Sequence, residues 1–201
     1  MKNLIFFFIF IITNIFFISC EKDDIYQSFF EKDINDNGTG MSGSGEIYIN
    51  FPEYDAPKLS FSSIEEIHDT INDTNWKYYI IFPNSYKEEK NKEYPVLYLL
   101  HGLGSYYTSW IGSGKSKECY DYCLYNNLIP EIIIIMPDAG SSYYVDGYEN
   151  TNLQYENFFI NQFIPEMESK YRIARNHSGR MIAGCSMGGY GAAHSTPPGA
   201  D

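Results

Sequence analysis

Basic residues are scarce: the 201-residue chain holds 14 Lys and Arg against 26 Asp and Glu, for a formal net charge of −12. No basic run occurs anywhere. That excludes nucleic acid and anionic membrane surfaces as partners, because both are held by Lys/Arg patches. The chain also lacks an H-E-x-x-H pair, a Walker loop and a glycine-rich dinucleotide loop set between a strand and a helix. No metal or cofactor is therefore expected. Cysteines number only four, and Cys119 and Cys123 stand at i, i+4, on one face of an expected helix. Two ligands cannot complete a structural zinc site, so packed thiols are expected there. No internal repeat is visible. The longest apolar run, Leu4 to Ile18 with Thr13 and Asn14 inside it, falls short of the ~20 residues a spanning helix needs.

What is present at the N-terminus fits export. One positive residue, Lys2, precedes that run, and the small residue Ser19 follows it, as in a secretory signal. Phe17-Ile18-Ser19-Cys20 resembles a bacterial lipobox, with Phe17 where leucine is usual. Residues 1–19 are then the signal, Cys20 the lipidated first residue of the mature chain, and attachment to the cell envelope the favoured outcome. Plain secretion and an uncleaved anchor are the other readings. Residues 20–45 are acidic and turn-rich, ending Asn37-Gly38-Thr39-Gly40-Met41-Ser42-Gly43-Ser44-Gly45. Such a stretch cannot bury enough surface to offset its ordering entropy, so it reads as a flexible tether.

The globular part is expected over 46–201, enough for one core but small for the fold it suggests. Ile47 to Phe51 and Trp76 to Phe82 alternate or cluster apolar and aromatic residues between breakers, and read as an opening hairpin or meander. Tyr94 to Leu100, Glu131 to Met136 and Arg180 to Ala183 read as central strands, the first two nearly continuous in apolar residues, as strands covered on both faces are. Helical spacing marks Lys115 to Asn126, and Gln154 to Tyr171 with Phe158, Phe159, Phe163, Ile164 and Met167 on one face. Alternation of strands and helices implies an α/β fold with a mostly parallel sheet, helices on both faces and function at the carboxyl ends of the strands.

Three loops leave those ends. They are His101-Gly102-Leu103-Gly104-Ser105, Pro137-Asp138-Ala139-Gly140 and Gly184-Cys185-Ser186-Met187-Gly188-Gly189-Tyr190-Gly191. The last is a G-x-S-x-G between a short apolar strand and small, helix-compatible residues, the pattern of a nucleophile elbow. Ser186 is the candidate nucleophile, Gly184 and Gly188 flank a turn too tight for a Cβ, and Cys185 is expected to be buried beside it.

Taken together, Tyr94-Pro95-Val96-Leu97-Tyr98-Leu99-Leu100-His101-Gly102, Trp110, Ile135-Met136-Pro137-Asp138, Phe158-Phe159 through Ile164-Pro165 to Tyr171-Arg172, and Gly179-Arg180 with Ala183 to Ala192 resemble an esterase branch of the α/β-hydrolases. That branch includes tributyrin and feruloyl esterases, S-formylglutathione hydrolase and the mycolyltransferases. The resemblance spans about Trp76 to Ala192 in order and spacing. It implies acyl-ester hydrolysis or transfer through an acyl-enzyme on Ser186, with the backbone N–H groups of Leu103 and Met187 as oxyanion donors. Substrate would be a small-molecule or glycan-linked ester, short-chain or of the feruloyl or acetyl kind.

Other candidates are weighed residue by residue. His101 reads as a loop brace, and Asp138 as a loop-shaping or substrate-side residue rather than the triad acid, since it precedes the serine. Tyr106, Tyr107, Tyr143 and Tyr144 lie in loops beside the expected site, where they would either stack on an aromatic acyl group or sugar or simply reflect a tyrosine-rich composition. His194, eight positions past Ser186 on one helix, is roughly 12 Å away, too far for a base. His177 precedes its strand, at the wrong end of the sheet, and His68 sits in an acidic, solvated segment. Past Ala192 the chain departs from the family pattern and reads Ala193 to Asp201 with Pro197-Pro198-Gly199, so the acid and histidine expected later are not met. An esterase, a same-family acyltransferase and a catalytically incompetent truncated relic are the three readings this leaves.

Overall fold

The computed structural model describes residues 57–195. The signal, Cys20, the tether, the Ile47–Phe51 strand and the Pro-Pro-Gly segment lie outside the described residues.

Five strands form one sheet: β1 (Ser60–Asp69), β2 (Thr74–Pro83), β3 (Val96–Leu100), β4 (Ile133–Pro137) and β5 (Arg180–Gly184), in the order β1-β2-β4-β3-β5. β1 with β2 and β2 with β4 are antiparallel, whereas β3 runs parallel to both β4 and β5. The sheet is thus mixed, with its parallel half carrying the three loops picked out in the sequence. β2 extends the expected Trp76–Phe82 run at both ends. Its described partner is Ser60–Asp69, a stretch that contains the acidic segment around His68. Polar residues alternate there with buried ones such as Ile67, because one face of this outer strand is solvated.

All five residues of β3 and all five of β4 are buried. Val96, Tyr98, Leu100, Ile133 and Ile135 join one cluster with Phe158, Phe159, Phe163 and Met167. The alternate residues Leu97, Leu99, Ile134 and Met136 face the other way and are buried too, which is why these strands read as unbroken apolar runs. Of the helices, α1 is Ser85–Glu88, α2 Ser109–Gly112 and α3 Ser116–Tyr125. Next come α4 (Tyr155–Phe158), a π turn (Phe159–Phe163) and α5 (Ile164–Lys170), which together fill the expected Gln154–Tyr171 helix. Pro165 explains the interruption: without an N–H it cannot donate to the carbonyl four residues back, and the turn before it widens. The last helix, α6 (Met187–His194), packs on β5 and β3. Cys119 and Cys123 on α3 are half-buried free thiols; burial first, and then the neighbouring Cys123, pushes the Cys119 thiol up to about 11.

Candidate active site

Parallel pairing of β3 with β4 and β5 brings their carboxyl ends to one edge, where the three loops meet. Leu100 pairs with Gly184 at the end of β5, and a Cβ placed on Gly102 would lie 3.6 Å from Ser186 Cβ. The serine stands at the turn between β5 and α6 with φ 50° and ψ −118°, a conformation that costs an L-residue on the order of 1–3 kcal/mol. Its surroundings impose the turn. A Cβ on Gly184 would fall 2.5 Å from the carbonyl of Gly188 and 2.7 Å from that of Leu100, so no other residue lets the strand and helix approach this closely.

The turn leaves Ser186 exposed, and among the described residues no partner takes its hydroxyl. Cys185 is exposed as well, against the expectation that it would be buried. Among the described residues β5 is an outer strand, half-buried along its whole length, and the elbow projects from its end. Burial of the sulfur nonetheless pushes the Cys185 thiol up, partly offset by the Gly102 backbone and its own.

The loop after β3 is aimed by its own hydrogen bonds. The Gly102 carbonyl accepts from His101 Nδ1–H at 2.9 Å and from the Ser105 N–H at 3.1 Å. Because that carbonyl and the Leu103 N–H belong to one planar trans peptide, pinning the oxygen points the N–H the opposite way. No acceptor among the described residues takes the N–H of Leu103 or of Met187. Both amides are left without a partner among the described residues. The Leu103 side chain is 52% exposed beside them.

His101 is a brace, as its sequence position suggested, and it is not placed as a base. Its ring is buried, and Nε2 accepts the Ala139 N–H at 3.0 Å, tying the β3 loop to the β4 loop. Asp138 Oδ1 lies 3.4 Å from the same Nε2 and accepts the Gly140 N–H at 3.1 Å. Burial pushes the Asp138 carboxyl up, but His101 and the N–H groups of Gly140 and Ala139 outweigh it and hold the carboxyl below its ordinary value. Asp138 therefore shapes its loop as an ionised side chain.

Of the tyrosines, Tyr143 is half-buried and stacks on Tyr148 with ring centroids 4.3 Å apart, with Tyr190 edge-on at 6.2 Å. Tyr144 has no exposed surface and so cannot stack on a substrate; it belongs to the support of the site rather than to its lining. Tyr106 is exposed, with its N–H bound to Ser109 Oγ. His194 Nε2 pairs with Glu156 at 3.3 Å, His68 pairs with Asn75, and the turn holding His177 lies ahead of β5, at the far end of that strand. Two further residues brace the loops: Trp110, already among the residues that carry the resemblance, and Tyr155, which had no local signal in the sequence. Tyr155 donates its hydroxyl to the Asp138 carbonyl at 2.6 Å, and Trp110 Nε1 donates to the Leu100 carbonyl at 3.2 Å. Among the described residues no group of three or more His, Cys, Asp or Glu is placed to hold a metal ion.

Known proteins match this arrangement. The family model described as "Putative esterase" covers residues 70–196. An esterase of Mycobacterium tuberculosis is 31% identical over 118 residues, 56% of this chain and 24% of that protein. A protein of Xylanibacter ruminicola named endo-1,4-beta-xylanase/feruloyl esterase is 31% identical over 102 residues, 50% of this chain and 14% of the relative. Among solved structures, a ferulic acid esterase superposes with a TM-score of 0.62 at 32% identity, covering 68% of this chain and 54% of that one. A ferulic acid esterase of Anaeromyces mucronatus in complex with ferulic acid gives 0.56 at 27% identity, covering 68% and 53%. The chain thus spans about half the length of these structures and a quarter or less of these two curated relatives. With a strand–elbow–helix unit in place and a family match over most of the described residues, the chain belongs to this esterase family of the α/β-hydrolases.

Proposed function

We propose that the chain serves carboxylic-ester hydrolysis through an acyl-enzyme on Ser186, acting on short-chain esters or on feruloyl or acetyl esters of polysaccharides. One observation carries this reading: an exposed serine held at φ 50° between β5 and α6, with Gly102 close against it and, among the described residues, no acceptor for the N–H groups of Leu103 and Met187. In the first step a base takes the Oγ proton as the oxygen attacks the ester carbonyl, and the two amides stabilise the oxyanion. Each such donor contributes roughly 2.7–4 kcal/mol. Collapse expels the alcohol, and water then releases the acid by the reverse sequence. His68, His101 and His194 are all engaged elsewhere, so none of them is the base in this scheme. The ester class is supported by relatives named feruloyl esterase and acetyl esterase.

The test is covalent labelling of the full-length protein by a fluorophosphonate, alongside turnover of p-nitrophenyl acetate and methyl ferulate. Labelling and turnover are expected in the wild type and absent in Ser186→Ala; activity surviving that change would refute the mechanism. We further propose that the protein is exported and held at the cell envelope by a lipid on Cys20, with 20–45 as a tether, on the strength of the Leu4–Ile18 run and Ser19-Cys20. Intact mass of the mature protein tests this, and a free thiol on Cys20 would exclude the anchor.

A further inference from the structure

Two consecutive tyrosines, Tyr143 and Tyr144, hold left-handed backbones, with φ 55° and 60°. Neither is glycine, so the conformation persists only because surrounding contacts impose it. Tyr144 is held through its backbone, its ring and its hydroxyl. Its N–H donates to Ser142 Oγ at 3.1 Å, and its ring packs on Tyr155 and Phe159 with centroids 5.5 Å and 6.5 Å away. Its hydroxyl donates to the His101 carbonyl at 3.1 Å, and its ring faces the His101 ring at 5.9 Å. On the other side, a Cβ at Gly191 would come 2.6 Å from the Tyr144 ring, so α6 rests against that ring with no side chain between.

We infer that Tyr144 is a positioning residue that sets the gap between the oxyanion loop and the nucleophile helix. One side chain on the β4 loop touches both parts: the peptide immediately before Gly102–Leu103 through its hydroxyl, and α6 through its ring. The hydroxyl fixes the His101–Gly102 peptide, whose orientation limits where the Leu103 N–H can aim. The ring fixes the height of α6 and with it the Met187 N–H at its first turn. Its buried hydroxyl has no second role: burial pushes the Tyr144 phenol far up, so it remains a donor at all working pH values. This inference rests on Leu103 and Met187 being the oxyanion donors.

The variant Tyr144→Phe keeps the ring and removes only the bond to His101. Amide hydrogen exchange on the full-length chain is expected to quicken at Ser105, whose N–H donates to the Gly102 carbonyl and so reports the hold on that loop, by about tenfold, the worth of one hydrogen bond, with β1 and β2 amides unchanged. For p-nitrophenyl acetate, kcat should fall about tenfold with KM within about twofold, since the loss concerns an interaction made in the transition state. Gly191→Ala, which pushes the ring from the helix side, should give the same local exchange signature at Ser105 and at Gly188, whose N–H donates to the Cys185 carbonyl. Unchanged exchange at Ser105 in Tyr144→Phe would overturn the inference, as would uniform acceleration across the sheet, which would make Tyr144 an ordinary core residue. If the wild type turns over no ester yet Tyr144→Phe quickens exchange selectively at Ser105, the strut stands and the hydrolase reading fails.

Discussion

Gly188 lies flat against the carboxyl end of β3: a Cβ there would sit 2.6 Å from the Leu100 carbonyl carbon and 2.8 Å from the His101 oxygen. The obstacle is backbone on the central strand, which cannot swing aside as a flexible side chain would. Gly188→Ala should therefore force α6 outward and destabilise the protein by about 3 kcal/mol, the upper part of the range for overpacking. Urea unfolding measures it, and a midpoint unchanged within error would show that the strand end gives way.

This contact also explains why the site was legible at all. Short-range steric demands wrote Gly184, Gly188 and Gly191 into eight consecutive residues around Ser186, and steric demands survive in sequence as fixed spacings. The parallel strands were legible for a similar reason, since burial on both faces leaves few residue types available to β3 and β4. β1 was not, because Ser60–Asp69 is polar on its solvated face and its acidic run looks like a loop. The exposure of Cys185 follows from the outer place of β5 among the described strands, which no local pattern encodes. Likewise the Tyr144 bond to His101 spans 43 positions, and the Tyr155 bond to Asp138 depends on where a π turn leaves α4.

Ser186 is itself a source of strain. With φ 50° and ψ −118°, it occupies backbone space that glycine enters without penalty. Ser186→Gly should stabilise the fold by about 1 kcal/mol and raise the melting temperature by about 2–4 °C, while removing the hydroxyl. Paired thermal melts of Ser186→Ala and Ser186→Gly separate loss of the side chain from relief of the backbone. Equal melting temperatures for the two would mean that the turn stores no strain.

Glu168 on α5 is 8% exposed and accepts from Arg180 Nε at 2.8 Å, linking the helix to the start of β5. Removing the cation leaves a buried carboxylate without its partner, which costs more than the pair itself is worth. Arg180→Met is expected to lose about 3 kcal/mol. The double variant Arg180→Met with Glu168→Leu should recover most of that, because an apolar pair needs no compensation. Chemical denaturation of the two variants checks the order, and a double variant no more stable than the single would show that the charge is solvated after all.

Asp138 makes a pH prediction whose sign follows from its contacts. Burial raises its carboxyl, yet His101 and the Gly140 and Ala139 N–H groups together bring it below the ordinary value of 3.8. A carboxyl depressed in the folded state binds its proton less readily there than in the unfolded chain. It therefore contributes stability in full above the ordinary value, and that contribution is lost as pH falls through the lower folded value. Asp138→Asn cannot titrate, so the wild type should hold an advantage at pH 6 that narrows once pH drops below about 4. Urea midpoints of both proteins from pH 6 to pH 2.5 measure the difference. A constant gap across that range would mean that Asp138 gains nothing from its charge and acts only as a spacer between the β4 loop and His101.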